Sequence, residues 1–264
     1  MNRRLSFLCW LLLFLDAPRL LAEPGPAATA GFNTYTQSVE ERLVRQHRTA
    51  GTFLPATTGD ANLRNGNLVI EDLTPSSSEF SGSGFSGALL HHWRGTGFAP
   101  GAHAADFERL LRDFNAYPQH FAPEVVSAHT LTQAGDRMSA AMRVRQHHVI
   151  TVVMDTAYDI DFGRLDLQHG YSLSRSTHIA EIASPGSPAE HALSSAEEHG
   201  FIWRLNTYWS YEERDGGLYL QIEAVSLTRA IPRGLGWAVR PYVESIPRES
   251  LEFTLRSAIH ALRQ

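Results

Sequence analysis

No lysine occurs in the 264 residues; all 23 basic side chains are arginine. Schiff-base chemistry and the lysine of a P-loop are thereby excluded. The single cysteine, Cys9, lies in an apolar run near the start. If that run is removed, no disulfide, thiolate metal site or thiol nucleophile is left. Positive charge is also short: 28 acidic residues against 23 basic ones give a formal net charge of −5. The arginines are scattered rather than striped, so no nucleic-acid partner is expected. Neither an HExxH spacing nor a GxSxG elbow occurs, and no metal or other cofactor is implied. The 43% hydrophobic content is too high for a disordered chain, and 20 Gly with 13 Pro are too few for a low-complexity one.

Arg3 and Arg4 precede an apolar run from Leu5 to Leu15, and Leu20-Leu21-Ala22 offers a cleavage site before Glu23. A basic start, a short apolar stretch and a small residue at the cut are the marks of a secretory signal. Spanning a bilayer takes about 20 apolar residues, and Asp16, Pro18 and Arg19 stop this run short. Residues 1–22 are therefore expected to be an export signal, placing the mature protein in the periplasm or outside the cell with no stable membrane span.

Residues 23–87 are expected to be an N-terminal extension. Glu23 to Gly31 reads as a flexible leader, and Ser38 to Arg48 as a short amphipathic helix with a Ser38-x-x-Glu41 capping box. A Ser- and Gly-rich loop follows from Thr74 to Gly87. Within it Gly82, Gly84 and Gly87 fit a GxGxxG spacing, but a strand follows where a dinucleotide site needs a helix. From Ala88 onward the pattern is steady: a strand, a helix over Asp106–Phe114, then alternating runs separated by turn signals, then an apolar-periodic segment to the end. No βα alternation occurs, so the sheet should be antiparallel. The fold class expected is α+β, a curved antiparallel sheet wrapped around a long C-terminal helix.

The stretch Phe201–Thr228 is the most informative. Asp215-Gly216-Gly217 is a strong hairpin signal, and either two-residue loop keeps the same parity of pairing. One face then carries Trp203, Leu205, Thr207, Trp209 and Tyr211 opposite Leu220, Ile222, Ala224, Ser226 and Thr228. The other carries Arg204, Asn206, Tyr208 and Ser210 opposite Gln221, Glu223, Val225 and Leu227, and is expected to face solvent. The first face is either a filled core or the wall of a ligand cavity, with small residues beside large aromatics and hydroxyls to orient a guest.

There are 13 histidines, with pairs at His91-His92 and His147-His148. Adjacent strand residues point to opposite faces, so neither pair chelates a metal unaided. His92, His148 and Tyr158 are the candidate polar groups of a cavity, and His92 or His148 a candidate general base.

The stretch from Phe107 through Asn115-Ala-Tyr117-Pro118 and Phe121-Ala-Pro123 to Ser127 resembles the helix-to-strand region of START-like helix-grip proteins. The polyketide cyclase/dehydrase and coenzyme-Q-binding branch is the most similar in look. Gly200–Trp209 and Ile246–Leu251 resemble stretches of uncharacterised bacterial members. The resemblance covers residues 88–264. It implies a deep apolar cavity between sheet and C-terminal helix, which the family uses to hold lipids, sterols, quinones, polyketides or hormones. Some relatives are enzymes without a shared catalytic motif, so no catalytic residue carries over. The expectation is an exported binding protein for a hydrophobic small molecule or lipid, its cavity lined by Trp203, Leu205, Thr207, Trp209, Tyr211, Leu220, Ile222, Ala224 and Ser226. The alternatives are a cyclase- or hydrolase-type enzyme in the same cavity, and an interaction domain with a filled core.

Overall fold

A computed structural model of the chain describes residues 23–54, 60–75, 87–147, 151–230 and 236–263, over 236–245 by its backbone alone. The expected signal at 1–22, Gly82 and Gly84 of the glycine spacing, and His148 lie outside these residues. The described chain opens with α1 (Pro26–Gln46), a 3-10 turn (Ala50–Thr52) and α2 (Asp60–Arg64), followed by strands β1 (Val69–Asp72) and β2 (Ala88–Pro100). Next come α3 (Ala104–Arg112), a second 3-10 turn (Phe114–Ala116) and α4 (Tyr117–His120). Strands β3 (Val125–Ala134), β4 (Arg137–His147), β5 (Thr151–Arg164), β6 (His169–Ala183), β7 (His191–Ala192), β8 (Arg204–Arg214) and β9 (Gly217–Arg229) lead to α5 (Gly236–Ala261).

The strands form one antiparallel sheet in the order β1-β2-β9-β8-β6-β5-β4-β3, with β7 attached to β6. The sheet curves around α5, the helix-grip arrangement of an α+β protein. The β8–β9 hairpin closes on Asp215-Gly216: Arg214 pairs with Gly217, and both loop residues have positive φ, 56° and 73°. That is the backbone of a type I′ turn, which suits Asp-Gly.

β2 carries Gly95 and Gly97 where α5 crosses it. A Cβ on Gly95 would lie 2.7 Å from Leu255 Cδ1, and one on Gly97 would lie 2.8 Å from Ile259 Cδ1. Two missing side chains let the helix sit directly on the strand. α5 runs through both Pro241 and Pro247, each at the cost of one intrahelical hydrogen bond. The segment that the two prolines divide in the sequence is one helix.

The N-terminal residues depart most from expectation. The leader is helical from Pro26, a residue suited to a first turn. Ser38 is not a cap; its hydroxyl donates to the Tyr35 carbonyl within α1. The buried stripe of this helix is Ala28, Phe32, Thr36, Val39 and Leu43, and it lies on the convex face of the sheet. A threonine and an alanine dilute the stripe, which is why periodicity alone shows only its second half. β1 is the edge strand beside β2 and α1 packs on the sheet, so both belong to the same folded body as the rest.

The face of β8 and β9 expected to meet solvent is therefore covered. Tyr208, Asn206, Ser210, Gln221, Glu223, Val225 and Leu227 are all buried, with Tyr208, Val225 and Leu227 packed against Phe32, Val39 and Leu43 of α1, and Glu223 and Ser210 bonded to Arg42 and His47. A polar strand face reads as solvated unless a helix is known to lie over it, and the pattern of the sequence shows only the second half of α1 without saying where it packs.

Candidate ligand-binding face

Register decides which side chains look toward α5. Trp209 pairs with Ile222, Tyr211 with Leu220, Thr207 with Ala224 and Leu205 with Ser226. Directly paired residues share a face, so these eight lie together on the concave side.

That face has two halves. In the closed half Trp209, Tyr211, Leu218, Leu220 and Ile222 are buried among Phe107, Leu110 and Leu111 of α3 and Leu251, Leu255 and Ala258 of α5. The Phe107 ring meets Trp209 and Tyr211 edge-on, each at 5.1 Å between centroids. Tyr158 also lies here, 4% exposed, and burial raises the pKa of its phenol. In the open half Leu205, Thr207, Ala224 and Ser226 are only half-buried. Ser174 stands opposite Thr207, Trp93 opposite Ala224 and His91 opposite Ser226, all half-buried too. His91 Nε2 lies 3.3 Å from Thr228 Oγ1. The open half thus presents half-buried apolar side chains and hydroxyls together with the His91 imidazole.

Two expected residues lie elsewhere. Trp203 precedes β8, donates its backbone N–H to the Leu227 carbonyl at 2.8 Å, and packs with Phe32, Tyr208, Val225 and Leu227 on the convex side. The period-2 count was carried one residue past the start of the strand, where alternation no longer holds. His92 is also convex: it pairs with Val225, and its neighbour His91 takes the concave position. Parity on β2 identifies His91, once the β2–β9 register is known.

His92 belongs to a buried polar cluster. Its Nε2 lies 2.9 Å from Glu223 Oε2, and its Nδ1 lies 2.7 Å from the Tyr35 hydroxyl. Arg42 of α1 donates to the same Glu223 oxygen. With Glu223 ionised, His92 donates to it from Nε2. Burial pushes the Glu223 carboxyl up, but the His92 hydrogen bond and the Arg42 charge outweigh it and hold it below the usual range. Beside this cluster His47 stacks between Phe53 and Tyr171 and bonds Ser210 at 2.8 Å. Burial and the nearby Arg42 push the His47 pKa down to about 4. Arg175 is held by Glu40 at 2.8 Å and by Asp161 at 2.7 Å. These groups bind α1 to the sheet.

Glu181 fastens the loop that leads into β8. One oxygen accepts from His199 N at 3.0 Å and His199 Nδ1 at 2.7 Å, and the other from Gly200 N at 2.9 Å and Phe201 N at 3.1 Å. Nothing in the spacing of the sequence marks this carboxylate. Among the described residues no group of histidines and carboxylates has the makings of a metal site, and no helix is long and apolar enough to cross a membrane.

No protein-family model matches the chain, and no curated protein matches its sequence. Solved structures of similar shape do exist. A STAR-related lipid transfer protein from Xanthomonas axonopodis is 16% identical over 74% of this chain and 99% of its own, with a TM-score of 0.45. The Zhui aromatase/cyclase from Streptomyces sp. R1128 is 13% identical over 66% of this chain and 94% of its own, at 0.47. A START superfamily protein from Mycobacterium smegmatis is 14% identical over 67% and 97%, at 0.42.

Proposed function

We propose that this chain is an exported START-like binding protein that holds a hydrophobic small molecule or lipid in the open half of its concave face. The observation that carries the reading is the step in burial along β8 and β9. Trp209 and Ile222 are 7% and 3% exposed, whereas Thr207 and Ala224, the next pair on the same face, are half-buried. A protein that needed this face only as a core would gain by filling it with large side chains. Instead the pairs are small beside aromatic, with hydroxyls at Thr207, Ser226 and Ser174 to orient a mostly apolar guest. The export part of the proposal rests on the basic start and short apolar run of residues 1–22.

Native mass spectrometry of the full chain, isolated from the compartment it occupies, tests the reading. A co-purifying lipid-sized adduct is expected, displaced by an apolar fluorophore and lost in Ala224→Trp, which fills the open half. A persistently bare protein that takes up no fluorophore overturns it.

A further inference from the structure

The two helices that cover the sheet are held by different chemistry. α5 grips the concave side with Leu251, Leu255, Ala258 and Ile259, side chains that carry no ionisable group. Five histidines and carboxylates are buried among the described residues: His47, His92, His169, Glu181 and Glu223. None of them belongs to the cluster under α5. Glu181 fastens the loop into β8. The other four lie on the convex side, three of them where α1 meets the sheet: His47 on Ser210, His92 on Tyr35 and Glu223 on Arg42.

These contacts work in one protonation state. Glu223 must be ionised to hold both Arg42 and His92 on Oε2. Its Oε1 has no hydrogen-bond partner and lies 4.0 Å from Arg94, which is itself taken up by Glu71 at 2.9 Å. His47 is enclosed by Phe53, Tyr171 and Ser210. A proton on it would bury a second cation near Arg42. His169 meets the same Phe53 ring, with Asp166 at 2.8 Å and Glu212 at 3.7 Å. Glu40 ties α1 to Arg175 and the Tyr208 hydroxyl, and Asp161 shares Arg175. The stripe that must hold α1 without these ties is only Ala28, Phe32, Thr36, Val39 and Leu43.

We propose that α1 is an acid-released clasp: protonation of His47 and Glu223 frees it from the convex side while the sheet and α5 stay folded. Release bares Trp203, Tyr208, Val225 and Leu227, which pack with Phe32, Val39 and Leu43 when α1 is seated. Water then reaches Glu223 Oε1, so opening also removes the cost of an unpaired buried acceptor. Acidity thus selects between two states of one folded sheet, because its two faces are held by groups of opposite sensitivity to protons.

Hydrogen-exchange mass spectrometry of the full chain at pH 7, 5.5 and 4, corrected for intrinsic exchange, tests the clasp. The opening constant of α1 amides is expected to rise about tenfold per pH unit below 6.5, and more steeply below 4.5, where Glu223 joins His47. Amides of residues 251–260 in α5 should keep their neutral-pH protection throughout. This order of release is read on the parent alone. His47→Gln, whose amide can still bond Ser210, should remove most of the rise between pH 6.5 and 4.5. Loss of protection in α1 and α5 together, an α1 unchanged down to pH 4, or a folded His47→Gln with the parent's pH dependence overturns the proposal.

Discussion

Arg42 of α1 donates to Glu223 of β9 across 181 residues of sequence, and the carboxylate it meets is 1% exposed. This pair ties the N-terminal helix to the middle of the sheet. Its two ends are unequal, since the Arg42 side chain is 36% exposed and Glu223 is enclosed with His92 and near Arg94. Removing a buried partner strands its neighbours and costs about 3–5 kcal/mol, whereas an exposed ion is worth far less. Glu223→Ala should therefore cost several kcal/mol in urea unfolding and Arg42→Ala about 1 kcal/mol. Equal costs for the two would refute the assignment of Glu223 as the buried hub.

Acid should loosen the same region in two stages. The His47 pKa falls from 6.5 to about 4 on folding, so the unfolded chain takes up the proton first. Its contribution is complete above pH 6.5 and is lost as pH falls toward 4, with a slope of at most about 1.4 kcal/mol per pH unit. Glu223 has a depressed pKa, so its contribution is present above the ordinary carboxylate value of 4.5 and is lost below it. Unfolding free energies at pH 7, 5.5 and 4 should fall along this course. His47→Gln should flatten the upper part alone, and a mutant with the parent's slope between pH 6.5 and 4 would count against His47.

The close crossing of α5 over β2 makes a third prediction. Gly95→Val places a side chain where Leu255 Cδ1 lies, 2.7 Å from an added Cβ. Leu255 is 0% exposed and has nowhere to withdraw, so overpacking should cost about 1–3 kcal/mol. Gly95→Ala combined with Leu255→Ala should cost less than the sum of the single changes, because each opens space for the other. Strict additivity in thermal unfolding would mean that the two do not meet.

The hairpin was legible because its parity comes from covalent geometry. Side chains alternate along a strand, and either two-residue loop within Asp215-Gly216-Gly217 keeps the same parity, so Thr207, Trp209, Ile222 and Ala224 fall on one face without any knowledge of the fold, while the register that sets Thr207 opposite Ala224 comes from the structure. What covers each face is a tertiary matter. Gln221 and Glu223 look solvated on a bare strand, yet both are buried, Glu223 against Arg42 of α1. Alternation alone puts Trp203 in the concave series, but the strand begins at Arg204 and Trp203 packs on the convex side. His91 and His92 could not be sorted until β2 was paired with β9. Parity puts Tyr211 on the concave face, but the cleft beside it is made by α3 and the β5–β6 turn, whose meeting no local pattern records.

The two halves of the concave face predict opposite responses to substitution. Trp209 is 7% exposed and packed edge-on against Phe107, so Trp209→Ala should open a cavity costing about 3–5 kcal/mol. Thr207 is half-buried and has no comparable packing to lose, so Thr207→Ala should cost less than about 1 kcal/mol. Binding should invert the order once stability is allowed for. Thr207→Phe, which narrows the open half, should reduce uptake of an apolar fluorophore strongly, while Trp203→Ala destabilises the convex cluster and leaves uptake by the folded protein unchanged. Chemical unfolding and fluorophore titration on the same four proteins check both orders. If Thr207→Phe binds as well as the parent, the guest does not sit in the open half, and the half-buried hydroxyls there need another explanation.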